Sequence, residues 1–162
     1  MNEQEFARVY EAYADVLFRH CFFRVSERER AKDFTQEAFV KTWEYLGQGK
    51  QIENMRAFLY RVADNLIIDE SRKRKEMSLD ALRESGDFLE PFEDGATKQE
   101  EGMILKEIHR TIATLDPSDR SLFVMRYIDE LDPKEIAEAL DMTPNNVSVK
   151  LHRIAKKIKE QL

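Results

Sequence analysis

Apolar residues recur every three to four positions through the first half of the chain, a period that predicts three amphipathic helices. The first is predicted over residues 3–25 and the second over residues 26–46, where Ser26 and Glu29 have the spacing of a capping box. The third is predicted to begin near Asn54 and to continue through the basic run at residues 72–75. The apolar stripes consist of Phe6, Tyr10, Tyr13, Leu17, Cys21, Thr35, Phe39, Trp43, Leu46, Phe58, Leu59, Val62, Leu66 and Ile67. We therefore expect a three-helix module with Trp43 in its core.

The same period returns at residues 99–115 and continues in three further helices. Each of the three begins with a side-chain oxygen followed by proline, at Asp116-Pro117, Asp132-Pro133 and Thr143-Pro144. An oxygen at the N-cap and proline at the first helical position form a helix-start arrangement. The last two helices are separated only by the short connection Asp141-Met142, which predicts a helix-turn-helix.

Acidic charge is concentrated between the two modules. The formal net charge of the chain is −6, yet residues 76–102 alone hold nine acids and two bases. This segment also contains Gly, Ser and Pro and lacks sustained periodicity, which is typical of a linker. We predict an all-α protein with two small helical domains, at residues 1–76 and 102–162, joined by an acidic linker at residues 77–101. A short helical turn at residues 78–83 fits the pattern, and an ordered acidic loop packed on one module is the alternative.

The last helix has the residue types of a DNA-reading helix. Its apolar stripe is Val147, Leu151, Ile154 and Ile158, and residues 143–162 also carry five Lys or Arg and one acid. Asparagine amides near the start of the helix can read base edges, and the cations can hold phosphates. The alternative is an amphipathic helix with a solvated basic face.

Composition narrows the class of protein further. Hydrophobic residues make up 42% of the chain and charged residues 36%, and Cys21 is the single cysteine. No apolar run reaches the length of a membrane span and no basic-then-apolar leader opens the chain, so we expect a cytoplasmic protein without membrane insertion. His20 and Cys21 are adjacent without further ligands nearby in sequence, so we expect no metal and no cofactor. A phosphate loop, a catalytic triad spacing and a ligand cluster are all absent from the sequence, so an enzyme is not expected.

Three stretches, in order, resemble the extracytoplasmic-function (ECF) subfamily of sigma-70-type RNA polymerase sigma factors. Residues 33–43 resemble its D-x-x-Q-E-x-F-x-x-x-W motif and residues 58–66 its W-L-y-R-I-A-x-N-x stretch. Residues 127–140 and 146–155 resemble its C-terminal helix-turn-helix. Phe58 stands where the family usually has Trp, and Asp141 where a turn glycine is common.

The resemblance implies a promoter-specificity factor that binds core RNA polymerase and directs transcription initiation, without covalent chemistry of its own. Implied partners are the clamp helices and flap of the polymerase, promoter DNA and an anti-sigma factor. The residues implied to bind the polymerase core are Asp33, Gln36, Glu37, Val40, Lys41 and Glu44. Those implied to hold the melted minus-ten strand are Asn54, Arg56, Tyr60, Arg61, Arg72, Lys73, Arg74 and Lys75. Those implied to read the minus-thirty-five duplex are Asn145, Asn146, Ser148, Val149, Lys150, His152 and Arg153.

Alternatives remain open at several of these positions. Tyr60 either stacks on an unpaired base or is partly buried, and the polar face of the second helix is either a polymerase contact or ordinary solvated surface. The whole chain could instead be a repressor or activator that binds duplex DNA alone, or, less in keeping with the residues, a helical enzyme. We also expect the free protein to bind DNA poorly, because the acidic linker covers the basic faces or helps the modules to pack together.

Overall fold

The computed structural model describes residues 1–81 and 99–161, and the regular structure there is entirely helical, which confirms the predicted all-α class. The helices are α1 (Glu3–Val25), α2 (Arg28–Gly47), α3 (Met55–Ala81), α4 (Gln99–Ala113), α5 (Pro117–Phe123), α6 (Pro133–Leu140) and α7 (Pro144–Gln161). A π-helical turn, Val124–Ile128, continues α5. Most of the predicted linker falls outside the described residues, and α3 continues past residue 76, so the predicted domain boundaries stay predictions.

The proline-containing helix starts form as the sequence predicts. Asp116 accepts a hydrogen bond from the backbone N–H of Asp119 at 2.9 Å, and that bond lowers the pKa of the Asp116 carboxyl. Asp132 accepts from the N–H of Glu135 at 2.9 Å, and Thr143 accepts from the third residue after it, Asn146, at 3.1 Å. Each bond satisfies one of the amide donors that a helix leaves without an intrahelical partner at its start, so these three ends are fixed locally.

The predicted capping box at Ser26 is wrong. Ser26 ends α1 in a left-handed conformation (φ 59°), and its backbone N–H donates to the carbonyl of Phe22. Helix α2 begins after Glu27, which makes no side-chain cap. The Ser26 hydroxyl instead lies 2.5 Å from Nδ1 of His109 on α4, so a tertiary contact takes the group that the local pattern assigned to capping.

The N-terminal module packs α1, α2 and α3 around a shared apolar core. Its buried residues include Leu17, Phe39 and Leu59. The expectation that Trp43 lies inside this core is wrong, because Trp43 is 37% exposed while Phe39, one turn earlier on α2, is 4% exposed. The indole lies at the edge of the core, with its ring centroid 4.9 Å from that of Phe6.

The C-terminal module places α4 to α7 around a second set of apolar side chains, among them Ile112, Leu122, Ile136 and Ile154. The π-helical turn lies within it. There the N–H of Asp129 donates to the carbonyl of Val124, five residues earlier, at 2.9 Å. Asp129, which follows this turn, is buried with 2% of the residue exposed, and π-helical turns are frequent at functional sites.

The two modules pack directly against each other. Helix α3 contacts α6, and α1 contacts the π-helical turn. This packing determines which of the predicted site residues are accessible. Masking by the linker itself concerns residues 87–94, which lie outside the described residues, and stays a prediction.

Candidate polymerase and nucleic-acid interfaces

The residues predicted to bind the polymerase core form one exposed face of α2. Asp33, Gln36, Glu37, Val40, Lys41 and Glu44 are all exposed, while Phe34, Ala38 and Phe39 on the opposite side are buried. Val40 is the apolar point on this face and is 54% exposed. A shallow groove of about 430 Å³ next to Val40 is lined by Phe6, Phe39 and Trp43, among others. The partly exposed Trp43 thus borders the predicted polymerase surface.

The start of α3, predicted to hold the melted strand, faces α6 of the other module. Asn54 caps α3 through its side-chain oxygen, which accepts from the N–H of Ala57 at 3.0 Å, and its amide nitrogen donates to Glu138 at 2.6 Å. Arg56 lies 3.4 Å from Glu135 and donates to the carbonyl of Asp129 at 3.4 Å.

Arg61, one turn further along α3, makes the same kind of contact. Its guanidinium donates to the carbonyl of Ala139 at 3.3 Å and lies 3.6 Å from the carboxylate of Asp141. These groups border a cleft of about 530 Å³ between the modules, which Lys150 of α7 also lines. Three of the predicted minus-ten residues, Asn54, Arg56 and Arg61, are therefore engaged by oxygen atoms of the C-terminal module.

Tyr60 is buried, with 1% of its surface exposed. Its ring meets the ring of His20 edge to face, with 5.1 Å between centroids. Burial, followed by the nearby carboxylate of Asp129, raises the pKa of the Tyr60 hydroxyl. In this structure the ring has no face open to a base, which matches the burial alternative.

The basic run at the end of α3 is largely solvent-exposed. Arg72 pairs with Asp69 at 2.8 Å, and Arg74 lies 4.0 Å from Glu70. Both contacts join residues three or four apart on one helix and are exposed or partly exposed, so they contribute little to stability. Lys73 and Lys75 are exposed, and the run as a whole has the charge and access that phosphate contacts need.

The predicted reading face of α7 lies open to solvent. Asn145, Asn146, Ser148, Val149, His152 and Arg153 are exposed, and Lys150 is partly buried next to the cleft between the modules. Behind this face, Val147, Leu151 and Ile154 are buried and Ile158 is partly buried, so the predicted apolar stripe is confirmed. The helix is thus anchored on one side and presents amides and cations on the other.

A set of buried polar contacts joins the modules, and the sequence analysis did not find them. Nδ1 of His20 lies 2.6 Å from Asp129, and both side chains are completely buried. Asp64 accepts hydrogen bonds from Arg24 of its own module and, at 2.6 Å, from the hydroxyl of Ser121 across the interface. The only available signal was polar residues at inward positions of amphipathic helices, which does not identify their partners.

Other site classes were also searched in the residues that the structure covers. No three His, Cys, Asp or Glu side chains among residues 1–81 and 99–161 are grouped so as to hold a metal ion. Within the same ranges, none of the helices combines the length and the apolar character of a membrane span. Burial raises the pKa of the Cys21 thiol to about 12, so the thiol is protonated and unreactive at neutral pH.

Comparison with known proteins extends this picture. Residues 9–77 match the family described as Sigma-70 region 2, and residues 105–158 match Sigma-70, region 4. The chain is 28% identical over 169 residues to the ECF RNA polymerase sigma factor SigW of Bacillus subtilis, covering 99% of this chain and 90% of that protein. It is also 28% identical over 163 residues to the RNA polymerase sigma-E factor of Streptomyces coelicolor, covering 98% and 86% respectively.

Two solved structures share the fold. One is the sigma factor RpoE in complex with the anti-sigma factor NepR from Bartonella quintana, with a TM-score of 0.74 at 14% identity over 97% of this chain and 96% of that chain. The other is CnrH in complex with the cytosolic domain of CnrY, with a TM-score of 0.74 at 18% identity over 99% of this chain and 88% of that chain. At these identities the likeness concerns the fold.

Proposed function

Because the chain belongs to the ECF subfamily of sigma-70-type RNA polymerase sigma factors, we propose that it divides promoter recognition between its two modules. A sigma factor binds core RNA polymerase and directs promoter-specific initiation of transcription. In our proposal the N-terminal module captures the minus-ten element as a single strand, and α7 reads the minus-thirty-five element as duplex. The chain acts without covalent chemistry, in the cytoplasm, and opens the strand by binding unpaired bases.

The reading face of α7 is the observation that supports this division most directly. An exposed row of amides, cations and Val149 lies on a helix whose other side is anchored by Val147, Leu151 and Ile154. A helix held this way enters a major groove as a rigid unit, with Asn145 and Asn146 at its N-terminal end, where recognition helices make base contacts. Ser148, Lys150, His152 and Arg153 hold phosphates.

Polymerase docking is assigned to the exposed face of α2. The face combines charged and amide side chains with a single exposed apolar residue, Val40, beside the apolar groove that Trp43 borders. A polar rim around an apolar centre is the usual composition of a reversible protein interface. An anti-sigma factor is a further proposed partner, in line with the related structure of the sigma factor RpoE, which was determined in complex with the anti-sigma factor NepR.

Run-off transcription tests the proposed function. Core polymerase is supplied with a library of promoter fragments, with and without this protein, and transcripts are sequenced. We expect discrete start sites that depend on the protein and share two sequence elements. If no start site appears while the free protein still selects duplex sequences, the chain is an independent DNA-binding regulator and the proposal fails.

A paired variant tests the docking face. Gln36→Ala combined with Glu37→Lys should weaken co-purification with core polymerase while the helix content stays the same, since both residues are exposed and make no core contact. The matched control is Gln4→Ala combined with Glu11→Lys, which makes the same changes at exposed positions of α1. Equal polymerase affinity for the two variants would remove the docking assignment from this face of α2.

A further inference from the structure

The first helix of the helix-turn-helix, together with the residues on either side of it, is strongly acidic. Residues 129–141, here called the acidic segment, contain six acids and one base. In helix-turn-helix proteins the first helix crosses the DNA backbone near the phosphates, which is a poor location for such an excess of negative charge. The cations of the motif lie on α7 instead. The charge of the acidic segment therefore calls for a different partner.

That partner lies across the module interface, at the start of α3. Glu135, Glu138 and Asp141 of the acidic segment lie within 3.4 Å, 2.6 Å and 3.6 Å of Arg56, Asn54 and Arg61, respectively. The backbone carbonyls of Asp129 and Ala139 accept from Arg56 and Arg61 at 3.4 Å and 3.3 Å. Carboxylate and carbonyl oxygens thus occupy the guanidinium and amide donors that a nucleic acid backbone and its bases would otherwise use.

We propose that the acidic segment is an internal substitute for the minus-ten strand, which it excludes from α3 whenever the modules are packed together. This inference rests on the proposed function of α3. It assigns the occlusion to the helix-turn-helix itself and not to the linker. The occlusion affects α3 and not α7, because the exposed residues of α7 remain accessible in the same arrangement.

The competition has a simple quantitative form. A single strand binds only the open form, so its apparent dissociation constant is the intrinsic constant divided by the open fraction. The contacts of Glu135, Glu138 and Asp141 are exposed or partly exposed, and such pairs are individually weak. Removing all three charges should raise the open fraction, and with it the apparent affinity for a single strand, about three- to tenfold.

The test uses the full chain carrying Glu135→Gln, Glu138→Gln and Asp141→Asn. Asn suits the left-handed conformation that Asp141 adopts, and the two Gln substitutions preserve shape. The control carries Glu11→Gln, Glu107→Gln and Glu160→Gln, which change the net charge equally at exposed positions away from α3. Binding is measured by fluorescence anisotropy with a labelled single-stranded DNA pool of random sequence, over a range of salt concentrations.

We expect the acidic-segment variant to bind the single-stranded pool about three- to tenfold more tightly than the control variant, with the gain shrinking as salt rises. A random duplex pool, whose binding to α7 does not require the modules to part, should show a smaller gain than the single-stranded pool. Equal single-strand affinity of the two variants would overturn the inference. Glu138→Lys, a single exposed substitution that replaces the acceptor of Asn54 with a cation, should give a gain in the same direction.

A second measurement, with the protein bound to core polymerase, distinguishes failure of this inference from failure of the proposed function. With core polymerase bound, the acidic-segment variant and the wild type should select the same minus-ten strand with equal affinity, because the polymerase already holds the modules apart. If both holoenzymes select the strand but the free variant binds single-stranded DNA no more tightly than the control, internal occlusion is refuted and the proposed role of α3 stands. Absence of strand selection by either holoenzyme would refute the proposed role of α3 itself.

Discussion

Replacing Asp129 by Ala should open the molecule without unfolding either module. The Asp129 carboxylate lies 2.6 Å from Nδ1 of His20, and both side chains are completely buried where the π-helical turn meets α1. Removing one partner of a buried hydrogen bond costs roughly 1–3 kcal/mol, because the other polar group is left buried and unsatisfied. Once the modules part, however, His20 is free to bind water, so the cost falls on closure and not on the folding of each module.

The size of this effect decides the assay. At about 1.4 kcal/mol for each factor of ten, the closing equilibrium should shift by roughly fivefold to somewhat more than a hundredfold. A compact chain of 162 residues has a radius of gyration of about 15 Å, and separated modules have a larger one. Small-angle X-ray scattering should therefore report expansion of Asp129→Ala, while circular dichroism shows unchanged helix content.

Two comparisons make the result interpretable. Asp15→Ala removes an exposed carboxylate from α1 and should leave the radius of gyration at its wild-type value. His20→Ala should expand the protein as Asp129→Ala does, and the double variant should be no more expanded than the single ones, since the two groups act through one contact. A wild-type radius for Asp129→Ala would show that this buried pair does not hold the modules together.

Three further predictions concern core packing, pH and DNA. Phe39→Ala should lower the free energy of unfolding by about 3–5 kcal/mol and Trp43→Ala by only about 1–2, because Phe39 is 4% and Trp43 37% exposed; equal urea midpoints would contradict this. Burial lowers the pKa of His109 from 6.5 to about 4. The neutral imidazole therefore makes its full contribution to the free energy of unfolding above pH 6.5. That contribution, about 3 kcal/mol at most, is lost as the pH falls towards 4. His109→Asn should reduce the difference in urea midpoint between neutral pH and about pH 4.5. An unchanged difference would exclude His109 as the source of that loss of stability in acid. Lys150→Ala and Arg153→Ala should each reduce the salt dependence of duplex binding by about one unit of slope, measured by anisotropy, and an unchanged slope would exclude a phosphate contact.

Features that depend on neighbouring residues were readable from the sequence. The helix starts at Asp116, Asp132 and Thr143 form as predicted because the capping side chain and the amide that it accepts from lie three residues apart, and no distant residue is needed to complete them. The apolar stripe of α7 is likewise confirmed, since a helix with one apolar face has one way to bury it. The family motifs belong to the same class of information, and the comparisons confirm the family that they indicate.

Burial at the edge of an apolar stripe, and contacts with distant residues, could not be predicted from the sequence in this way. Phe39 and Trp43 are one helical turn apart and share a stripe, yet only Phe39 is buried, because the adjoining surface of α1 covers one and leaves the other at the rim. Ser26 had the spacing of a cap, but its hydroxyl contacts His109, 83 residues away. The spacing of residues along the chain does not predict a contact whose partner lies on another helix.

Sequence alone thus determined the helices, the three proline-containing helix starts, the apolar stripe of α7 and the family, because each is set by residues close together in the chain. Tertiary structure decided which of the predicted site residues are accessible. Tyr60 is buried, and Arg56 and Arg61 lie against the C-terminal module, whereas most of the predicted reading residues of α7 are exposed. The physical reason is that occlusion depends on the pairing of His20 with Asp129 and of α3 with α6 across the module interface, 109 residues apart in the first case. No periodicity or spacing records a contact over that separation.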